Sequence, residues 1–214
     1  MKQNNNIKEL FLSELKKFTR DEEVGPKLIK FCEYIDKSNK LYNLTSIKKL
    51  DDMLIKHVLD SLSIKYLING KNILDIGSGA GLPGIPLALT LPKKNFLLLD
   101  SNNKKIIFLN HVKINLDIMN ASALHETIES LKTDTSFDTV ICRSFAKLTK
   151  IYSNSIKHLV KDGTIIAMKG KYPKQELDEL VEFDKNVVFE VEKLKVQKLK
   201  QHHIRDFQLI YRHK

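Results

Sequence analysis

The chain predicts an α/β fold: a mostly parallel sheet flanked by helices, with an antiparallel C-terminal edge and a helical segment ahead of it. Three observations carry this. From Lys71 onward, short apolar runs alternate with stretches of helical periodicity, the pattern of a parallel sheet covered on both faces. The first run, Ile73-Leu74-Asp75-Ile76, opens directly into a glycine-rich turn and then into Pro83-Gly84-Ile85-Pro86. The last two runs, Val187–Val191 and Phe207–Tyr211, have no convincing helix between them, which suits an antiparallel pair.

Taken in order, residues 1–70 read as an N-terminal helical cap and 71–214 as one ligand-binding unit. Ile7, Leu10, Phe11, Leu15 and Phe18 recur at helical spacing. Pro26 suits the start of a second helix with the stripe Leu28, Phe31, Cys32 and Ile35, so Cys32 is expected in the core. Asn43-Leu44-Thr45-Ser46 breaks the pattern, and Asp51 and Asp52 favour the start of a third helix with Met53, Leu54, His57, Val58, Ser61 and Leu62 on one face. Beyond Asp100 comes a helix carrying Leu109, Val112 and Leu116, then a weak strand near Met119–Ala123 and a short polar helix around Glu126–Leu131. Phe137–Cys142 reads as a buried strand. Leu148 to Val160 reads as a long amphipathic helix, and Asp162-Gly163 as the turn into a strand Thr164–Met168. A helix near Gln175–Val181 precedes the closing strands, with a low-complexity basic segment, Lys193–Arg205, between them.

The 214 residues, 42% of them hydrophobic, suffice for a proper core. No apolar run reaches the roughly 18 residues a membrane span needs, and Met1-Lys2-Gln3-Asn4-Asn5-Asn6 has no signal-peptide core. Two cysteines, Cys32 and Cys142, give neither a disulfide framework nor a metal cluster. A cytoplasmic setting, without a membrane partner, is the expectation. Lys and Arg number 36 against 26 Asp and Glu, a net charge of +10. That excess favours a phosphate backbone as partner, although many of these lysines are ordinary solvated surface.

The glycine turn carries the chemistry. Gly79-Ala80-Gly81-Leu82-Pro83-Gly84 has the spacing G-x-G-x-x-G, and Asp100 lies about 20 residues on, where an acceptor for ribose hydroxyls belongs. This spacing alone is weak, and a nicotinamide dinucleotide or a ligand-free turn also fits it. Asp75 argues against a pyrophosphate, since a carboxylate just ahead of the turn repels phosphate and suits an ammonium or sulfonium group. S-adenosylmethionine carries both. Gly77, Gly79, Gly81, Asp75, Asp100 and Ser101 are therefore the candidate cofactor residues.

No nucleophile–base pair stands out. His57, Asp60 and Ser61 share a helix face, yet nothing there activates Ser61, and packing is the plainer role for His57. Cys142 ends a strand near the site but lacks the preceding Pro expected of a cysteine that attacks a pyrimidine, so a core role fits better. No Asn/Asp-Pro-Pro-aromatic run follows that strand, which argues against methylation of an exocyclic amine. The N7 of guanine is a neutral, exposed lone pair that attacks a sulfonium methyl without a base. For that reaction the protein need only align donor and acceptor, a contribution on the order of 7–11 kcal/mol.

With these residues in view, the chain resembles the bacterial 16S ribosomal RNA guanine-N7 methyltransferases once called glucose-inhibited division protein B. The likeness runs nearly end to end: Tyr42-Asn43-Leu44-Thr45; His57-Val58-Leu59-Asp60-Ser61-Leu62; Leu74 to Pro86; Leu99-Asp100-Ser101-Asn102 with Lys104-Lys105; Arg143-Ser144-Phe145-Ala146; and Met168-Lys169-Gly170. It implies a class I methyltransferase (Rossmann-like) sheet, S-adenosylmethionine as cofactor, and one guanine in the 530 loop of 16S ribosomal RNA, free or in the small-subunit particle, as substrate. It further implies Gly77 and Leu82 lining the cofactor site, Ile128 and Glu129 beside the adenine, and Arg143 beside the cofactor. Leu82 stands where many members carry Phe. Catalysis is expected to rest on positioning, with Arg143 and Lys169 as the candidates, in a monomer. Lys147, Lys150, Lys169 and Lys171 follow two strand ends and are expected to rim the opening toward RNA, joined by Lys48 and Lys49; Lys195, Lys198 and Lys200 form the rival basic patch. The other readings are a class I methyltransferase acting on another RNA, a small molecule or a protein, a dinucleotide-dependent oxidoreductase, and a non-enzymatic RNA-binding module.

Overall fold

The computed structural model describes the backbone of residues 2–193 and 207–212 and the side chains of residues 7–192. Its strands are β1 (Asn72–Ile76), β2 (Asn95–Asp100), β3 (Ala121–His125), β4 (Phe137–Arg143), β5 (Leu159–Lys169), β6 (Phe189–Lys193) and β7 (Phe207–Arg212). They form one seven-stranded sheet in the order β3-β2-β1-β4-β5-β7-β6. β1 to β5 pair in parallel, and β7 runs antiparallel to both β5 and β6. The chain lays β2 and β3 on one side of β1 and then returns to lay β4 and β5 on the other. Strand order therefore reverses between β1 and β4, the place where such sheets open a ligand crevice at their carboxyl ends.

Alternate residues of each strand face opposite layers. Ile73, Phe96, Leu98, Ile141 and Ile166 belong to one core, Leu74, Ile76, Leu99, Val140 and Ile165 to the other. The first layer contains α1 (Lys2–Leu15), α2 (Val24–Tyr42), α5 (Gly84–Thr90) and α6 (Asn103–Asn115). The second contains α7 (Leu148–Ser155) and α8 (Lys174–Phe183). The segment from Ile7 to Ile68 thus shares a core with one face of the sheet. Among the described residues, no helix is long and apolar enough to cross a membrane.

Between α2 and β1 the chain forms α3 (Leu50–Met53), a π-helical stretch (Leu54–Leu59) and α4 (Asp60–Leu62) without a break. A single apolar face was the expectation, but Met53, Leu54, Ile55, Val58, Leu59 and Leu62 are all buried, because this segment lies among α1, α2 and α5. Asn43 closes α2 in the left-handed conformation at φ 49, as its break in the pattern foretold.

Four expected elements differ. Glu126–Leu131 is a run of turns rather than a polar helix, tied back by Ser130 to Glu126 and Thr127. The helix from Leu148 stops at Ser155; after a short 3-10 turn, Leu159 and Val160 already belong to β5. Leu159 pairs with Phe137 before the register shifts to Thr164 opposite Thr139, so Asp162-Gly163 is an irregularity inside β5, with Asp162 at φ 63. Sheet pairing overrides local helical periodicity there. Strand β3 also begins two residues later than Met119 suggested. The basic segment Lys193–Arg205, apart from Lys193 at the end of β6, lies outside the described residues, as do Lys195, Lys198 and Lys200.

Candidate active site

The carboxyl ends of β1, β2, β3 and β4 surround a cleft of about 620 Å³. Apolar β1 places Ile76 and then Gly77 on its floor. Gly77 takes φ 66, and a Cβ there would stand 2.5 Å from the Phe145 ring, so both backbone shape and crowding demand glycine. The loop is stitched to β2 by the Ser78 amide, which donates to the Leu99 carbonyl at 3.0 Å.

Asp100, at the end of β2, is 5% exposed and lines the cleft. Its Oδ2 accepts from the Gly79 amide at 2.8 Å, its Oδ1 from the Asn102 amide at 2.9 Å, and Lys105 Nζ lies 3.6 Å from Oδ2. One carboxylate thus ties the glycine loop to the start of α6. An ionised carboxylate offers about four acceptor sites, so two remain for ligand hydroxyls. Ser101, Ile128 and Glu129 line the same cleft, joined by Glu126 and Thr127. Ile128 is buried, whereas Glu129 is exposed and pairs with Lys150 at 3.1 Å and Asn154 at 3.0 Å. The Glu129 carboxyl is held below its usual range by its own backbone amide first and by Lys150 second.

Several expected residues stand elsewhere. Asp75 is wholly buried beneath the loop, and its Oδ2 accepts from the Gly84 amide at 2.9 Å. Burial raises its pKa from 3.8 to about 7, with the Gly84 hydrogen bond opposing the rise. Gly81 faces Ile85 and Leu109, and Leu82 is core at 4% exposure, so neither lines the cleft. Leu82 fills a packing position that asks for apolar volume, whether ring or branched chain.

Arg143, the last residue of β4, is not among the residues that line the cleft. Its NH1 lies 3.3 Å from Asp60 Oδ2 and 3.4 Å from His57 Nδ1, and His57 Nε2 lies 2.7 Å from Thr45 Oγ1. Arg143 therefore joins the strand end to the N-terminal helices. Ser61 Oγ donates to the His57 carbonyl at 2.6 Å, and the residue is fully buried. Cys142 is core, as is Cys32, whose thiol burial pushes far above its ordinary range.

Of the four rim cations, Lys169 is the exception. Its Nζ donates to the Ala146 carbonyl at 2.9 Å and to Glu176 Oε2 at 2.7 Å, in a largely buried position. Lys147 and Lys150 are exposed and paired on the surface with Glu179 and Glu129, and Lys171, Lys48 and Lys49 are exposed. Phe145 was not among the expected site residues, although the Arg-Ser-Phe-Ala segment contains it. Its register against Gly77 exists only once β1 and β4 pair.

The family model for GidB, rRNA small subunit methyltransferase G, matches residues 25–208. The chain belongs to the rRNA small subunit methyltransferase G family. The ribosomal RNA small subunit methyltransferase G of Nitrosococcus oceani is 47% identical over 154 residues, 72% of each chain. That of Legionella pneumophila strain Corby is 43% identical over 174 residues, 81% of this chain and 83% of the other. Among solved structures, an O-methyltransferase from Bacillus cereus in complex with SAH superposes with a TM-score of 0.57 at 15% identity, covering 86% of this chain and 91% of that one. An rRNA methylase from Streptococcus thermophilus gives 0.53 at 13% identity, covering 72% and 94%. These last two likenesses concern the fold. Within the rRNA small subunit methyltransferase G family, then, the His-x-x-Asp-Ser and Arg-x-Phe-Ala segments meet through the Asp60–Arg143 pair in this chain.

Proposed function

We propose that this chain transfers a methyl group from S-adenosylmethionine to N7 of a guanine in the 530 loop of 16S ribosomal RNA. The observation that carries the reading is the convergence of Gly77, Asp100 and Ile128–Glu129 on one cleft in a member of this family. The cleft fits the donor: its volume lies within the range of nucleoside-sized sites, Gly77 leaves room beside the backbone, and Asp100 keeps acceptor sites open toward it. When bound, the donor supplies a methyl group on a positively charged sulfur. Asp100 accepts the ribose hydroxyls, and the wall at Ile128 and Glu129 receives the adenine. Because guanine N7 attacks without losing a proton, holding the two partners in line is the protein's task.

Residues 1–70 act as a helical cap and residues 71–214 as the donor-binding unit, in a monomer. The RNA approaches across the carboxyl ends of the strands, toward Lys147, Lys150 and Lys171, with Lys48 and Lys49 on the cap. Surface ion pairs such as Lys147–Glu179 hold their partners weakly, so phosphate competes for these lysines. Two measurements test the reading. Thermal stabilisation by S-adenosylhomocysteine and not by NAD supports a methyl-donor site. Aniline-sensitive N7-methylguanine mapped in ribosomal RNA, with and without this protein, identifies the nucleotide; a methyl group elsewhere redirects the substrate assignment.

A further inference from the structure

We infer that Phe145 is the surface on which the target guanine stacks during methyl transfer. The inference rests on the guanine-N7 reading above. Along the sheet, Asp100 and Ile128 wall the cleft on the β2–β3 side, Gly77 lies at the end of β1, and Phe145 follows β4. A donor held by its ribose at Asp100 and its adenine at Ile128 would leave the β1–β4 side of the cleft, where Gly77 and Phe145 stand, for the methyl group and the incoming base. A base that meets that methyl arrives beside Phe145.

The ring is built for exposure there. Phe145 is the sole aromatic residue lining the cleft among the described residues, and it is 37% exposed despite lying against Gly77. Ser144 just before it takes φ 53, a left-handed conformation unfavourable for a residue with a Cβ. Both flanks are anchored: Arg143 by Asp60 at 3.3 Å, and the Ala146 carbonyl by Lys169 at 2.9 Å. An apolar ring fixed at both ends and left open to a cleft has the properties of a stacking platform for an unpaired base.

The reaction gives this contact a catalytic sense. The N7 lone pair forms the new bond to the methyl carbon while the carbon–sulfur bond breaks and its electron pair stays on sulfur. Positive charge leaves the sulfur and appears on the purine, and no proton is released. An aromatic face attracts a cationic ring more strongly than a neutral one, so the contact strengthens toward the transition state.

The test compares Phe145→Ala, Phe145→Leu and Phe145→Tyr in the full chain. Its probes are small-subunit particles lacking the methyl group and, separately, S-adenosylhomocysteine. Ala and Leu should both lower kcat/KM for the particles by about five- to a hundredfold, the range for losing one base–aromatic stack. Tyr should restore most of the activity, and calorimetry should show wild-type affinity for S-adenosylhomocysteine in all three. Full activity with Leu would overturn the inference, because apolar cover of Gly77 would then suffice. Loss of S-adenosylhomocysteine affinity with Ala would overturn it too, making Phe145 part of the donor wall. Wild-type protein that binds S-adenosylhomocysteine and leaves guanine N7 untouched would instead sink the proposed reaction, and this inference with it.

Discussion

The Oδ2 atom of Asp75 accepts the Gly84 amide hydrogen at 2.9 Å, so a carboxylate with no solvent exposure fastens the far end of the glycine loop to β1. A Cβ at position 84 would stand 2.6 Å from that oxygen and 2.3 Å from Leu98 Cδ2. The third glycine of the G-x-G-x-x-G spacing therefore serves close packing of helix on strand.

This relationship predicts a pH dependence. Asp75 has a folded pKa of about 7 against 3.8 ordinarily, so between those values the native chain keeps a proton that the unfolded chain has released. The stabilising contribution is full below the unfolded value and is lost as pH rises through about 7. Asp75→Asn keeps an acceptor for Gly84 and removes the titration. In urea unfolding, wild type should lose up to a few kcal/mol relative to this variant between about pH 5 and pH 8. Parallel pH profiles for the two proteins would refute the assignment.

The Asp60–Arg143 pair should behave as a buried one, with side chains 2% and 13% exposed. Removing one partner strands the other charge, so Asp60→Ala should cost about 3–5 kcal/mol in denaturant unfolding. Asp60→Ala combined with Arg143→Met should cost less than the sum of the singles. Strict additivity would mean that the pair is not coupled.

Asp100 carries both a structural and a ligand role. Asp100→Ala should weaken S-adenosylhomocysteine binding by about ten- to a hundredfold, the equivalent of roughly 1.5–3 kcal/mol for a charge-assisted hydrogen bond. Isothermal calorimetry reads this directly, and unchanged affinity would remove Asp100 from the ribose site.

The lysines should separate by partner. Lys171→Glu and the double change Lys48→Glu, Lys49→Glu should each flatten the salt dependence of RNA binding, by close to one unit of slope for every phosphate no longer held. Lys169→Gln should leave the slope intact and lower the unfolding midpoint, since it removes the links to Ala146 and Glu176. A reduced slope for Lys169→Gln alone would return that residue to the RNA rim.

The layered fold and the place of the ligand crevice could be read from the residues alone. The reason is periodicity: buried parallel strands read as short apolar runs, helices repeat every three to four residues, and a glycine cluster after the first strand marks the crevice. Asp100 and Ser101 were legible at the end of a recognisable strand, whereas Ile128 and Glu129 came only from the family resemblance; all four line one cleft. The direction and company of side chains, by contrast, were set by packing between elements. Asp75 in β1 and Leu82 in the loop flank the right turn, yet both side chains are buried. Arg143 and Lys169 end the right strands, but Asp60 and Glu176 capture their charges once the chain has folded. Leu159 and Val160 continue a helical pattern, and pairing with β4 makes them strand. Phe145 acquires its position only when β1 and β4 lie side by side. Local pattern reports which face of an element is apolar, whereas the partner of a charge or an aromatic ring is chosen by residues that folding brings from other elements of the chain.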